Sequence, residues 1–263
     1  MTAEQPYVEI DGDPAAAGKL LFPALVNYGH YTSMQVRAGA VRGLGLHLDR
    51  LDSATRELFG AELPADLVRG RIRHALRGRA DASVRVVVFS PQPAGAAGPV
   101  SVLVSVTGPQ VFDPRPRRLR SVPYQRPAAH LKHVGSFGQT YHGIRVRREG
   151  FDDALLTTAA GVISETATAN IGFRDGDAVL WPDAPALAGI TMRLLEQVLA
   201  DRGVAVRRRA LSVSEAVTLP AAFVTSSLGI APVERVDDRR LPVDEPLMAT
   251  LNSLYDAVPG DPV

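Results

Sequence analysis

The order of hydrophobic and polar residues at the start of the chain predicts strands. Tyr7–Ile10 alternate between the two classes, and the Asp-Gly-Asp-Pro sequence at 11–14 is typical of a turn. This pattern predicts an opening hairpin, with strand and turn structure continuing to Leu21. Two further short strands are predicted at 34–37 and 41–44, where β-forming residues flank a glycine turn.

A different periodicity follows, in which apolar residues recur every three or four positions. Residues 48–58 show this spacing and Gly60 follows them, which predicts a helix that ends at the glycine. A second helix is predicted at Ala65–Leu76. Beyond it, the β-branched segments 84–89 and 100–106 flank a Pro- and Gly-rich stretch, and we expect them to pair as antiparallel strands.

The nine residues 108–116 contain three prolines and one glycine and show no periodicity. We expect a linker there, between a small N-terminal domain at 1–112 and a larger domain at 117–263. In the second domain the patterns predict strands near 118–122, 154–157, 169–173, 178–181 and 223–225, and helices from Ile190 to Gly203 and at 247–258. The fold class is therefore predicted to be α/β or α+β, in two mixed domains.

Composition excludes several classes of function. The 29 basic and 28 acidic side chains give a net charge of +1, which is too small for a protein whose main partner is nucleic acid. The absence of cysteine excludes disulfides, a thiol nucleophile and thiolate zinc sites. No signal peptide and no apolar stretch of about 18 residues is visible, so we expect a soluble, cytoplasmic protein without a membrane partner.

Lysine is almost absent, because only Lys19 and Lys132 occur among the 29 basic residues. Lys132 lies between His130 and His133 in an otherwise apolar segment. Partial desolvation there would lower the pKa of its amine and leave a neutral nucleophile, as a Schiff-base lysine requires. The alternative is an ordinary solvated loop lysine. The histidines also raise the possibility of a metal site with His142, but no acidic residue accompanies them and the HExxH spacing is absent.

Two further segments carry candidate chemistry. Glu165 is a single carboxylate among small and apolar residues, suited either to a protonated pyridine nitrogen or to turn amides. The Gly-Ile-Thr sequence at 189–191 opens a predicted helix, where backbone amides and the helix dipole favour phosphate, although threonine there is also a common helix cap. Ser226 and Ser227 could contribute hydroxyl groups or shape a turn, and Arg50 lies on a predicted helix.

In combination these segments resemble the class IV aminotransferases, the fold-type-IV pyridoxal-phosphate enzymes. The segments that carry the resemblance, in family order, are His-Leu-Asp-Arg-Leu at 47–51, Leu-Lys-His at 131–133, Ser164 and Glu165 with Asn170 and Ile171, Gly-Ile-Thr at 189–191, and Phe-Val-Thr-Ser at 223–226 with Pro232 and Val233. Each one alone is a weak signal, but five in the same order span most of the chain. The family includes branched-chain and D-amino-acid aminotransferases, (R)-amine transaminases and aminodeoxychorismate lyases.

The resemblance implies a role for each matching residue and an architecture for the whole. Lys132 would hold pyridoxal 5'-phosphate as a Schiff base, and Glu165 would pair with the pyridine nitrogen of the cofactor. Arg50, Ile190 and Thr191 would bind the phosphate, with Ser226 or Ser227 assisting, and Gly189 is also implied in cofactor binding. The family fold has a small N-terminal and a larger C-terminal domain with the cofactor between them, and its active sites are completed in a homodimer.

Departures from the family patterns bear on the substrate and the reaction. The sequence Ser-Pro-Gln-Pro at 90–93 lacks the Arg and His with which D-amino-acid aminotransferases bind a carboxylate, and Phe137 replaces a tyrosine of the branched-chain enzymes. Tyr31 and Ser33 lie in a stretch that is closer to the lyases. The main hypothesis is transamination between an amino acid or amine and a 2-oxo acid. The alternatives are an aminodeoxychorismate lyase giving 4-aminobenzoate and pyruvate, with Thr32, Ser33 or His133 assisting, and a non-catalytic scaffold.

Overall fold

The computed structural model of the protein describes residues 5–91 and 99–263. The first part of the chain forms β1 (Tyr7–Ile10), β2 (Asp13–Pro14), α1 (Ala17–Leu25), β3 (His30–Val36), β4 (Ala40–Arg42), α2 (Leu44–Phe59), α3 (Ala65–Leu76), β5 (Ala82–Phe89) and β6 (Ser101–Thr107). The remainder forms β7 (Arg117–Pro123), α4 (Phe137–Arg148), β8 (Asp153–Thr157), β9 (Ile163–Thr166), β10 (Asn170–Asp175), β11 (Ala178–Pro182), α5 (Ile190–Asp201), β12 (Val206–Arg209), α6 (Val213–Ala216), β13 (Ala221–Ser226), β14 (Gly229–Val236), β15 (Arg239–Arg240), α7 (Glu245–Asp256) and β16 (Gly260–Pro262).

The chain forms two compact units. Unit 1 consists of Met1–Val111, Leu131–Gly135 and Pro259–Val263, and unit 2 of Phe112–His130 and Ser136–Val258. Unit 1 therefore includes two segments that are distant in sequence from its main part. The predicted mixed fold class is confirmed, since helices and sheets alternate in both units.

Unit 1 is built on an antiparallel sheet of five strands in the order β2-β1-β6-β5-β3. One face of this sheet is covered by α2 and α3, whose apolar stripes include Leu48, Leu51 and Ile72. The predicted end of α2 is confirmed, because Gly60 adopts a left-handed conformation with φ 65° and its amide bonds to the carbonyl of Arg56. A separate two-stranded sheet joins β16 to β4, so the C-terminal residues belong to this unit.

Unit 2 contains a nine-stranded mixed sheet, with the order β12-β11-β10-β13-β14-β7-β8-β9 and β15 paired to β14. Three strand pairs in it are parallel: β7 with β8, β7 with β14, and β11 with β12. Helices α5 and α7 pack around Trp181 and Phe223, and α4 packs through Val146 onto Leu156 of β8. These helices bury one face of the sheet, while a second apolar cluster that includes Phe173 and Leu155 fills the other.

One structural prediction was wrong at the start of the chain. The residues before Leu21 were expected to continue as strand and turn, but α1 occupies Ala17–Leu25. This helix has no buried residue, and its short sequence contains Gly18 and Pro23, two residue types that disfavour helices, so it was not predicted from the sequence. Within the described residues, no helix is long and apolar enough to cross a membrane.

Candidate active site

Lys132 lies beside the edge strand of the sheet in unit 1. The amide of Tyr31 donates to the carbonyl of Lys132 at 2.8 Å, and the amide of Val134 donates to the carbonyl of Gly29 at 2.9 Å. These bonds attach residues 131–135 to β3 as a short antiparallel extension. Because Lys132 lies opposite Tyr31, the two side chains project from the same face of the sheet.

The environments of the two lysines differ. The Nζ atom of Lys132 lies 4.9 Å from the ring centroid of Tyr31, and the side chain is half-buried. Lys19 is exposed, with its Nζ atom 3.5 Å from Asp13 on the surface. His130, one of the two predicted neighbours of Lys132, is also exposed. Only Lys132 therefore combines an aromatic contact with partial burial.

The opposite face of β3 carries two buried hydroxyl–imidazole pairs. Thr32 Oγ1 lies 2.6 Å from His47 Nδ1, and His30 Nε2 lies 2.9 Å from Thr55 Oγ1. Burial lowers the pKa of His30 to about 4. The imidazole of His30 is therefore neutral near pH 7.

Positive charge also acts on His47. Its pKa is lowered to about 3, first by burial and then by the charges of Arg50 and Lys132. Arg50 lies three residues further along α2 and is half-buried. Unit 1 thus places two cations around a neutral histidine, an arrangement that favours binding of an anion.

Glu165 lies on β9 opposite Leu156 and forms a buried ion pair. Arg126 Nε donates to Glu165 Oε1 at 3.0 Å, and the two side chains are only 5% and 9% exposed. The amide of Leu187 donates to the second oxygen, Oε2, at 3.3 Å. Both partners stabilise the charged carboxylate. Arg126 is not among the residues predicted from the sequence, in which the only signal for it is that a buried glutamate requires a cationic partner.

The turn after β9 is held by a second buried carboxylate. Asp153 Oδ2 accepts hydrogen bonds from both the amide and the hydroxyl of Thr168, at 3.1 and 2.7 Å. Burial raises the pKa of Asp153 above its ordinary value, while the bonds from Thr168 act in the opposite direction. The hydroxyl of Thr166 additionally accepts from the amides of residues 168 and 169. These bonds fix the backbone immediately after Glu165.

The start of α5 forms an anion-binding geometry. Gly189 is the N-cap, and no side chain of the described residues caps the helix, so its first amides are available to a ligand. A Cβ atom on Gly189 would lie 2.0 Å from Asn170 Oδ1, which explains why glycine is required there. The hydroxyl of Thr191 donates to the carbonyl of Ser226 at 2.7 Å, which brings the β13–β14 turn and its exposed Ser227 beside the helix start.

The structure distributes the predicted site residues between the two units. Unit 1 carries Lys132, Arg50, Tyr31 and Ser33, and unit 2 carries Glu165, Gly189, Ile190, Thr191, Ser226, Ser227 and Phe137. Within the units it brings together Lys132 with Tyr31 and Thr191 with Ser226. Phe137 is 77% exposed at the start of α4. Gln92 and Pro93, part of the stretch without a carboxylate-binding Arg, lie outside the described residues.

The predicted alternative of a metal site finds no support in the described part of the chain, where no group of three His, Asp or Glu side chains could hold a metal ion.

One family model matches the sequence. It is described as Amino-transferase class IV and matches residues 29–236, which include Lys132, Glu165 and the start of α5. A search of curated proteins gave no match.

Several solved structures share the fold at low sequence identity. A provisionally named 4-amino-4-deoxychorismate lyase from Legionella pneumophila is 23% identical, with a TM-score of 0.81 over 90% of this chain and 93% of that one. A branched-chain amino acid aminotransferase from Escherichia coli is 18% identical, with a TM-score of 0.81 over 98% and 95%. A hypothetical aminotransferase from Mycobacterium tuberculosis, in its PLP-bound form, is 20% identical, with a TM-score of 0.82 over 95% and 98%. These similarities confirm the predicted fold type.

Proposed function

The chain belongs to the class IV aminotransferase family, and we propose that it is a pyridoxal-phosphate-dependent aminotransferase acting between an amino acid or amine and a 2-oxo acid. The observation that carries this proposal is the environment of Lys132. It is the one half-buried lysine, it contacts an aromatic ring, and it lies within the part of the chain that the family model matches.

The residues present fit the cofactor. Lys132 supplies an amine for covalent attachment, and Glu165 supplies a carboxylate that is paired with Arg126 and accepts a hydrogen bond from the amide of Leu187. The uncapped start of α5, beside Ser226, suits the phosphate group. Gly189, Ile190, Thr191, Ser226 and Ser227 are the proposed phosphate contacts in unit 2, and Arg50 is the proposed contact in unit 1.

Transamination requires a proton to move from the α-carbon of the amino donor to a carbon of the cofactor. When bound, the cofactor supplies an electron sink that makes the α-proton of the amino donor acidic. Lys132 Nζ takes this proton as a base and returns it as an acid. Glu165 would place its negative charge against the pyridine nitrogen of the cofactor, and Arg126, which donates to Glu165 Oε1, keeps this carboxylate in place. Small amino and 2-oxo acids are the proposed substrates.

A lyase reaction on aminodeoxychorismate is the second candidate, supported by the fold shared with the Legionella protein. Such a lyase needs an acid near the leaving group. Thr32 and His133 lie on the opposite face of the β3 edge from Lys132, because neighbouring residues alternate between faces, and Thr32 already pairs with His47. Of the three residues predicted to assist, only Ser33 shares the face of Lys132, which favours transamination.

Borohydride reduction tests the proposed attachment. We expect reduction of the purified protein to fix pyridoxal phosphate irreversibly on Lys132, because hydride converts the carbon–nitrogen double bond to a stable amine. Peptide mapping by mass spectrometry locates the adduct without ambiguity, since the chain has only one other lysine. An adduct on Lys19, or none at all, would show that the proposal is wrong.

The choice of reaction is tested separately on the same preparation. We expect an amino donor from a panel of L- and D-amino acids and (R)-1-phenylethylamine to be consumed with pyruvate or 2-oxoglutarate as acceptor. If no donor reacts while aminodeoxychorismate yields pyruvate and 4-aminobenzoate, the lyase reaction replaces transamination. A protein with the Lys132 adduct and neither reaction would be the non-catalytic scaffold.

Arg50→Ala is expected to weaken cofactor binding more than Thr191→Ala. A guanidinium–phosphate contact is charge-assisted and contributes about 1.5–3 kcal/mol, which corresponds to roughly 10- to 100-fold in affinity. The hydroxyl proton of Thr191 is already donated to Ser226, so its loss should cost about fivefold or less. Titration of the apoprotein with pyridoxal phosphate measures both values, and the reverse order would contradict the assignment of Arg50.

A homodimer is the proposed assembly, and an exposed stripe on α4 supports it. Phe137, Tyr141 and Ile144 recur at helical spacing and are 77%, 50% and 41% exposed. Apolar residues exposed in such a row are typical of a surface that another chain covers. A cytoplasmic location is proposed from the absence of cysteine, which fits a reducing compartment.

A further inference from the structure

Residues 259–263 form part of unit 1, although the chain reaches them from α7 of unit 2. Strand β16 in this segment pairs antiparallel with β4, with Asp261 opposite Val41. A Cβ atom on Gly260 would lie 2.8 Å from the Cβ atom of Ala40, so the two strands approach more closely than a side chain at residue 260 would allow. The segment is therefore fixed against the strand that leads directly into α2.

Helix α2 has no N-terminal cap of its own. Its N-cap residue, Gly43, has no side chain, and the first turn contains no acidic residue. Gly45 is the second residue of the helix, and glycine disfavours helical structure because it loses the most backbone entropy on folding. The first turn of α2 is thus prone to unwind unless another part of the protein stabilises it.

Asp261 supplies the missing cap from β16. Its Oδ2 atom accepts a hydrogen bond from the amide of Leu44 at 3.0 Å, across 217 residues of sequence. A carboxylate at a helix N-terminus satisfies one of the free amides and also interacts favourably with the helix dipole. Two arginines of α3, Arg69 and Arg73, donate to the backbone carbonyls of the two residues that follow Asp261, at 2.7 and 3.0 Å. The backbone around Asp261 is therefore held by α3 as well as by β4.

The first turn of α2 anchors the proposed phosphate contact of unit 1. In an α-helix each amide bonds to the carbonyl four residues before it, so the amide of Arg50 depends on Leu46 in the first turn. The amide of His47 makes the first bond of the same ladder, at 3.2 Å. The imidazole of His47 pairs with Thr32 of β3, the strand to which the segment of Lys132 is attached. Unwinding of this turn would therefore displace both His47 and Arg50.

We propose that Asp261 is a positioning residue for cofactor binding, which caps α2 and thereby holds Arg50 where it binds the cofactor phosphate. This inference rests on the proposed function, in which Arg50 is the phosphate contact of unit 1. Asp261 acts through the helix and needs no contact with the cofactor, because the cap opposes unwinding of the turn that anchors Arg50. Asp261 is itself exposed, so it can be substituted without leaving a cavity in the core.

Titration of the apoprotein with pyridoxal phosphate tests this role. We expect Asp261→Ala to raise the dissociation constant about three- to fivefold, since loss of a cap shifts a helix equilibrium by roughly fivefold. Asp261→Asn retains a capping oxygen and should stay within about twofold of the parent protein. Pyridoxal lacks the phosphate, so its dissociation constant should be the same for Asp261→Ala and for the parent protein.

A double-mutant cycle shows whether the effect passes through Arg50. If it does, adding Asp261→Ala to Arg50→Ala should not raise the dissociation constant further, because the contact that Asp261 positions is already absent. Equal increases in the parent and in the Arg50→Ala background would mean that Asp261 acts on the fold as a whole, which overturns the inference. If Asp261→Ala does not fold, Asp261→Gln, whose side chain is one methylene longer and misplaces the capping oxygen, takes its place in the cycle.

Asp244→Ala is the matched control for loss of a helix cap. Asp244 caps α7 in unit 2 by accepting from the amide of Leu247, also at 3.0 Å. Because Asp244 also pairs with Arg174, its substitution should lower the melting temperature at least as much as Asp261→Ala. The dissociation constant of pyridoxal phosphate should nevertheless stay at the parent value, and an increase equal to that of Asp261→Ala would contradict a specific role for Asp261.

The outcomes separate this inference from the proposed function. A parent-like constant in Asp261→Ala, or equal weakening of pyridoxal and pyridoxal phosphate, overturns the role of Asp261. If borohydride fixes the cofactor on Lys132 of the parent protein, the proposed function stands in either case. If no adduct forms but noncovalent binding of pyridoxal phosphate depends on both Asp261 and Arg50, the proposed function fails and the positioning role remains. A parent protein that binds no pyridoxal phosphate overturns both.

Discussion

Replacing Lys132 by alanine is expected to lower kcat by about four orders of magnitude. The substitution removes the group that attaches the cofactor and the group that moves the α-proton, and positioned acid–base groups alone contribute roughly 10²- to 10⁴-fold. We also expect the variant to lose its cofactor on dialysis. The covalent bond is gone, and the contacts proposed from α5 and Glu165 are noncovalent and therefore reversible. Transaminase assays and the absorbance of the dialysed protein measure the two effects.

Lys19→Ala is the natural control for this experiment. It removes the only other lysine, which lies on the surface beside Asp13, so activity and cofactor content should stay within about twofold of the parent protein. A Lys132→Ala variant with near-normal turnover would show that another group moves the proton. Equal losses in both variants would point to a general effect of charge and not to a catalytic lysine.

The sequence predicted elements well where a single face of each element is buried. Helices α2 and α3 place apolar residues every three or four positions against one sheet face, and β5 and β6 are β-branched, so their bounds were predicted within a few residues. Helix α4 was missed because only four of its twelve residues, Phe137, Tyr141, Ile144 and Val146, are apolar, and of these only Val146 is buried. Strand β9 was missed because three of its four residues, Ser164, Glu165 and Thr166, are polar although all four are buried, so the sequence does not alternate as in a half-exposed strand.

Candidate site residues could be predicted when their chemistry is unusual in the sequence itself. Lys132 and Glu165 attract notice because one is a rare lysine and the other a solitary acid among apolar neighbours. Arg126 could not be identified in this way, since 27 arginines occur in the chain and only the fold brings this one against Glu165, which lies 39 residues further along the sequence.

The largest expected effect on stability comes from the buried pair of Arg126 and Glu165. Removing one partner leaves an uncompensated charge in a nearly inaccessible position, which costs about 3–5 kcal/mol in the free energy of unfolding. We therefore expect Arg126→Met and Glu165→Gln each to destabilise the apoprotein by about this amount. Urea unfolding of cofactor-free protein measures the loss without a contribution from ligand binding.

The double variant and an exposed pair with similar geometry test whether burial is the cause. Combining Arg126→Met with Glu165→Gln removes both charges, so the total cost should fall well below the sum of the single variants. Arg56 Nε lies 2.8 Å from Asp52, close to the 3.0 Å of the buried pair, but these side chains are 53% and 32% exposed. Arg56→Met should therefore cost no more than about 1 kcal/mol. Additive effects at Arg126 and Glu165, or an equal cost at Arg56, would mean that the buried pair does not fix the carboxylate on which the proposed chemistry depends.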